Sequence, residues 1–154
     1  MTERKANGLR RSPFIPLTDE DIALVKSEIY TIEADEEIFV FNEGLYTSYT
    51  DKIDKIDVMG DIFPDENSNH PRDIMSIRAV LAHEYYGHRA NRGTTLPQGS
   101  WADEFRASYM AAQNAPNLTD DDIRHLILDA LERAKEAGVV IKHNAFIRRV
   151  LYGR

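Results

Sequence analysis

The chain has 154 residues, with 19 Lys+Arg against 26 Asp+Glu, a formal net charge of −7, and no cysteine. That length encloses one modest core, and with its 8 glycines the apolar share is about 47%, a globular rather than a disordered composition. Zero cysteines exclude disulfides, thiol catalysis, iron–sulfur clusters and thiolate zinc sites, so a metal has only His, Asp, Glu or Tyr to hold it. No apolar run approaches the ~20 residues of a spanning helix, and no apolar signal-peptide core follows the basic start. A chain at −7 without a long basic run is a poor match for nucleic acid. The expectation is a cytoplasmic protein with neither membrane nor nucleic acid as partner, its oligomeric state open.

Residues 1–16 are basic, carry Pro13 and Pro16 and show no apolar period; they read as a flexible or extended arm, and 17–154 as a single domain. Thr18 and Asp21 form a capping box, and Ile22, Val25, Ile29 and Ile32 follow at helical spacing, predicting a first helix over about 19–33. Three strand-like segments come next: 37–41, 45–49 and 53–63. Gly44 is expected to take positive φ in the first turn, and Ile56, Val58, Gly60 and Ile62 share one face of the last strand. An antiparallel meander is the economical arrangement. Pro71 opens a second helix predicted to run to about 91 and to stop at Gly93. Ser100 with Asp103 caps a third helix ending near Pro116, and Thr119 with Asp122 caps a fourth. The fourth carries the stripe Ile123, Leu126, Ile127, Ala130, Leu131 and Ala134, and a last helix falls around 144–152. Helix, sheet, then helices argues for an α+β fold: a small meander packed on an active-site helix and three to four further helices.

The sharpest local feature lies in the second helix, His83-Glu84-Tyr85-Tyr86-Gly87-His88. In metallopeptidase helices, His at i and i+4 bind zinc and the Glu between them is the general base. Here the second His is at i+5, about 140° around a regular helix, against about 40° for four residues. A π-bulge brings the rings back to one side, and Gly87 suits such a distorted turn. A catalytic zinc site needs three protein ligands and an open position for water. The third helix offers a candidate for the third, Glu104, flanked by the small residues Ala107, Ser108 and Ala111 that let two helices approach. Asp103 is placed to accept a proton from the outer nitrogen of a ligand His.

At these residues the chain resembles the dipeptidyl peptidase III family of zinc peptidases. The run from His83 to His88 fits that family's HEXXGH signature, and Asp103-Glu104-Phe105-Arg106-Ala107 is similar to its EEXRAE motif. The resemblance implies zinc held by His83, His88 and Glu104, with Glu84 as base. It covers about 25 residues, between His83 and Ser108, in a far shorter chain whose two motifs lie much closer together. Asp103 stands for the first Glu of the second motif and Ser108 for the last, so the surroundings of the ligands carry over only in part. The expected activity is that of a compact glutamate-zincin, a zinc-dependent hydrolase acting on a peptide or protein, without the family's dipeptide release.

Other chemistry-bearing residues have plainer roles. Tyr85 and Tyr86 are expected to pack, His125 to be solvated, His143 and Asn144 to start the last helix, and His70 to sit in a loop. His70, His143 and Tyr109 are the weaker candidates for stabilising an oxyanion. The strand over 56–63 reads as an ordinary sheet strand, with an edge for extended substrate beside Gly60 as the other reading. Two further readings share the motif: an interaction or regulatory module whose zinc is structural, and a protease-type effector domain acting on one protein.

Overall fold

Helix starts obey the side chains that precede them. In the computed structural model, which describes residues 10–65 and 67–153, Thr18 caps α1 (Asp19–Thr31) and Thr119 caps α5 (Asp120–Glu136). Both halves of the capping box form at each, satisfying otherwise orphaned N–H groups. Ser100 caps α4 (Trp101–Asn114), and Asn144 caps α6 (Ala145–Tyr152).

The sheet has three short strands, β1 (Phe39–Phe41), β2 (Ser48–Thr50) and β3 (Lys55–Val58), in the order β1-β3-β2. The α+β class holds, and the meander does not. β3 is central, parallel to β1 with Phe39 opposite Ile56, and antiparallel to β2 with Tyr49 opposite Ile56. Alternating burial dictates which face of a strand is covered, not which strand lies beside it. The turn after β1 differs as well: Asn42 takes the left-handed conformation (φ 63°), and Gly44 is not among the positive-φ residues. The Asn42 amide accepts from the Leu17 N–H at 2.8 Å and donates to the Leu17 carbonyl at 3.0 Å, steering the chain away from a hairpin. Gly44 is needed for space, since a Cβ there would lie 2.8 Å from the Asp57 side chain.

Residues 10–16 of the expected arm are docked, while 1–9 lie outside the described residues. The Arg10 guanidinium donates to the carbonyls of Asp61 (2.7 Å), Ile62 (2.7 Å), Met75 (2.9 Å) and Arg72 (3.1 Å). Burial draws its pKa down to about 10, against the pull of Asp61, Asp73 and Asp129.

The predicted helix over 71–91 is four pieces: α2 (Pro71–Ile74), α3 (Ile77–Ala82), a π-helical turn (His83–His88) and a 3-10 turn (Arg89–Asn91). Met75 turns extended, and Ser76 recaps the chain by accepting from the Ala79 N–H while donating to Asp122 at 2.6 Å. α3 lies between two apolar cores. Leu81 enters the core made by α1 and the sheet, with Val25, Ile29, Ile56 and Val58; Ala79 and Ala82 enter the other, with Leu126, Ile127 and Ile147. Among the described residues no helix is long and apolar enough to cross a membrane.

Candidate metal centre

The HEYYGH turn is π-helical along its whole length, as the i, i+5 spacing requires. Widening the helix brings the rings of His83 and His88 to a centroid separation of 4.7 Å at 81°. Tyr85 and Tyr86 hold the outer side of the turn: the Tyr85 hydroxyl accepts from the Asp35 N–H, and the Tyr86 hydroxyl donates to the Ile32 carbonyl. Asn91 donates to the Gly87 carbonyl at 2.7 Å, serving an acceptor in the widened turn. Gly87 is required by its neighbour, because a Cβ there would overlap the Ala107 carbonyl of α4. That close crossing puts Glu104, in the first turn of α4, against the two rings.

Glu104 Oε1 lies 3.0 Å from His83 Nε2 and 3.2 Å from His88 Nε2. Tetrahedral zinc with ligand bonds near 2.0–2.1 Å separates its donors by about 3.3 Å. Glu104 Oε1 is therefore at nearly that spacing from each imidazole, and the ligand-type atoms of all three residues lie within 4.8 Å of one another. Asp103, expected behind a ligand histidine, has its Oδ2 3.6 Å from His88 Nδ1, beyond hydrogen-bonding distance, and accepts from the Gly99 N–H at 2.9 Å.

The residues that sequence reasoning missed stand behind His83. Ser108 Oγ is 2.8 Å from His83 Nδ1 and donates to Asp129 Oδ2 at 2.6 Å. Asp129 on α5 is fully buried, and the guanidiniums of Arg72 and Arg133 reach its other oxygen at 3.3 and 3.2 Å. Burial pushes the Asp129 carboxyl up, but Arg133, His83, the Ser108 hydroxyl and Arg72 outweigh it and hold the group below the usual carboxylate range. An ionised carboxylate only accepts, so the single Ser108 proton goes to Asp129 and Ser108 accepts from His83 Nδ1–H. In the neutral ring this leaves the Nε2 lone pair facing Glu104 Oε1. In the sequence Ser108 stands out only as one of the small residues beside Glu104, and Asp129 lies hidden beside the stripe of α5.

The charges agree. Burial lowers the His88 pKa, yet the hydrogen bond to Glu104 and the charges of Glu84, Glu104 and Asp103 prevail and raise it to about 9. Glu104 is pushed up by burial but held far below the carboxylate range by the two imidazoles set against it. Glu84 is buried, its Oε1 has no hydrogen-bond partner among the described residues, and burial raises its pKa despite His88 and His83. A buried carboxylate oxygen without a partner is costly and marks a place where something binds.

The cluster and Glu84 line a cleft of about 730 Å³, with Tyr46, Ser48 and Tyr49 on one wall and Gly93, Thr94 and Leu96 on another. His70, His143 and Tyr109 are not among its lining residues. His70 caps α2, His143 stacks on Tyr152, and Tyr109 packs on Phe105 and Phe146. His125 is partly exposed. No protein-family model, curated protein or solved structure matches the chain.

Proposed function

We propose that the protein is a zinc-dependent hydrolase, a peptidase whose metal is held by His83, His88 and Glu104 and whose general base is Glu84. One observation carries the reading: two imidazole Nε2 atoms converge on a single oxygen of Glu104, and the Nδ1 proton of His83 is already committed to Ser108. Two nitrogens and one carboxylate oxygen are a donor set suited to Zn²⁺. The cluster has three members and borders an open cleft, whereas a structural zinc site is closed by a fourth protein ligand.

Bound zinc supplies Lewis acidity, lowering the pKa of water from about 15.7 toward about 7 and polarising a carbonyl. The chain's own groups do the rest. Glu84 takes a proton from the attacking water on its unpartnered Oε1 and returns it to the departing amine. Its raised pKa suits a base that must hold that proton between the two steps. Ser108 and Asp129 keep the His83 ring in the tautomer that presents Nε2. An extended substrate cannot pair with β3, which has neighbours on both sides, and Gly60 is covered by the carbonyls of Ser12 and Ile15. β2 is one of the sheet's two outer strands, and its Ser48 and Tyr49 line the cleft, so it offers the backbone edge. The same reading keeps the protein in the cytoplasm, acting on a peptide or protein substrate.

Glu84→Gln is the test. Metal analysis should find one zinc per chain in both proteins, while hydrolysis of a defined peptide mixture, followed by mass spectrometry, falls by about 10²–10⁴-fold in the variant. Undiminished hydrolysis removes Glu84 from the mechanism, and a chain that binds no zinc removes the reading altogether.

A further inference from the structure

Five arginines, Arg10, Arg72, Arg92, Arg106 and Arg133, line the cleft of a chain whose net charge is −7. Four are engaged away from the reacting centre. Arg10 donates to backbone carbonyls, and Arg72 bridges Asp129 and Glu136. Arg92 bonds the Arg89 carbonyl, and Arg106 donates from Nη2 to the Thr94 hydroxyl and lies 3.5 Å from Asp103 Oδ1, its Nε enclosed and so shut off from the cleft's contents.

Arg133 differs. Its Nε donates to Asp129 Oδ1 at 3.2 Å, one helical turn away on α5, which fixes the plane of the guanidinium. Its Nη1 stands 3.6 Å from Glu104 Oε1, too far for a hydrogen bond, and neither Nη1 nor Nη2 has a hydrogen-bond partner among the described residues. The side chain is 20% exposed, and it lines the cleft beside Glu104. Once Glu104 gives its charge to a metal, Arg133 has no counter-ion on that side. A guanidinium presents paired donors that match two oxygens of one anion, at a fixed angle.

We infer that Arg133 is the anion receptor of the cleft, donating from Nη1 and Nη2 to a negatively charged oxygen of the substrate beside the bond that is cut. The inference rests on the peptidase reading above. That oxygen has two chemical sources. As water adds to the carbonyl carbon and Glu84 takes the proton, the carbonyl π electrons move onto oxygen and make it anionic. Alternatively, the substrate's terminal carboxylate carries the charge from the start.

The probe is inorganic phosphate, a tetrahedral anion, titrated into protein loaded with Co²⁺, whose visible spectrum reports what enters the metal site. Arg133→Met should bind cobalt at the wild-type stoichiometry and phosphate about tenfold or more weakly. Arg133→Lys, which keeps the positive charge beside Asp129 but loses the paired donors, should weaken phosphate less, and it decides the matter if the Met variant does not fold. Wild-type phosphate affinity in the variants overturns the inference and leaves the metal centre standing; a wild-type chain that binds no cobalt overturns both. A cleavable peptide, as free acid and as amide, separates the sources. A lower kcat for Arg133→Lys on both forms identifies the reacting carbonyl, and a raised KM on the free acid alone identifies the terminal carboxylate. Unchanged kinetics on both forms also overturn the inference.

Discussion

His70, Glu132 and Glu136 bring their ligand atoms as close together as His83, His88 and Glu104 do, within 4.8 Å, yet the two clusters are chemically opposed. Behind His83 stands an acceptor, Ser108, which draws the proton to Nδ1 and turns the Nε2 lone pair toward the cluster. Behind His70 stands a donor: the Arg72 N–H bonds Nδ1 at 3.2 Å. The neutral His70 ring therefore carries its proton on Nε2, aimed at Glu136 3.6 Å away, and has no lone pair to give a metal. Arg72 also occupies Glu136 at 3.1 Å, while Glu104 has two imidazoles and only a more distant guanidinium. Proximity of ligand-type residues does not make a metal site. The hydrogen bond on the far side of the imidazole decides what its near side can do.

Metal content tests this difference most directly. Wild-type protein, equilibrated with zinc and dialysed, should retain one ion per chain; His70→Ala should retain it and His88→Ala should not. Zinc at a thousandfold excess over its dissociation constant stabilises a folded protein by about 4 kcal/mol, and the zinc-dependent rise in Tm should vanish in His88→Ala alone. A second equivalent lost with His70 would break the comparison.

Asp129 sets the polarity of the relay behind His83, and its removal should show even without metal. The residue is fully buried against two partly buried guanidiniums, and breaking such an arrangement costs about 3 kcal/mol or more. Asp129→Asn should lower the denaturant midpoint of the metal-free protein accordingly. Its folded-state pKa lies below the ordinary value, so its contribution is complete above an unfolded-state pKa of about 3.9 and is lost as the pH falls through the folded-state value. The variant's stability should lack that acid limb. Wild-type and variant curves running parallel below pH ~4 would show that Asp129 is not the ionised anchor.

Ser108→Ala removes only the link, leaving both anchors. Loss of an outer partner of a ligand histidine costs about 10–100-fold in metal affinity, readable by competition with a chelator of known affinity. Unaltered affinity would mean that the His83 tautomer is held by something else.

These residues also mark where the sequence stopped being legible. Capping boxes at Thr18 and Thr119, and the distorted turn implied by a histidine at i+5, are written within a few neighbouring positions, and they appear where expected. The three-residue cluster was readable because two short motifs lie in consecutive helices whose small residues permit close contact. Strand order was not, since it depends on Asn42 tying back to Leu17 rather than on alternation within any strand. The break before α3 was hidden for the same reason: Ser76 looks like any helix-interior serine until Asp122, 46 residues on, is seen to accept its proton. Asp129 was overlooked because an apolar stripe records which side of a helix is buried, not the carboxylate tucked at its margin. Nothing in the sequence singles out Arg133, and only the fold carries its guanidinium to Glu104.

The smallest effect belongs to the cluster around His70. Glu136 is 47% exposed, and its pair with Arg72 is open to water on both sides. Burial raises its pKa, but the hydrogen bonds and charges of Arg72 and His70 together outweigh it and lower it. Exposed pairs of this kind contribute about 1 kcal/mol or less. Glu136→Gln should leave zinc stoichiometry and affinity at wild-type values and shift the denaturant midpoint by no more than that amount. It also frees Arg72 to bond Asp129 alone, so zinc binding at His83 should be unharmed if the relay runs through Asp129 and Ser108. Should Glu136→Gln weaken zinc as much as Ser108→Ala does, the two clusters would be coupled through Arg72, and the line drawn between them would have to be redrawn around the whole Asp129 network.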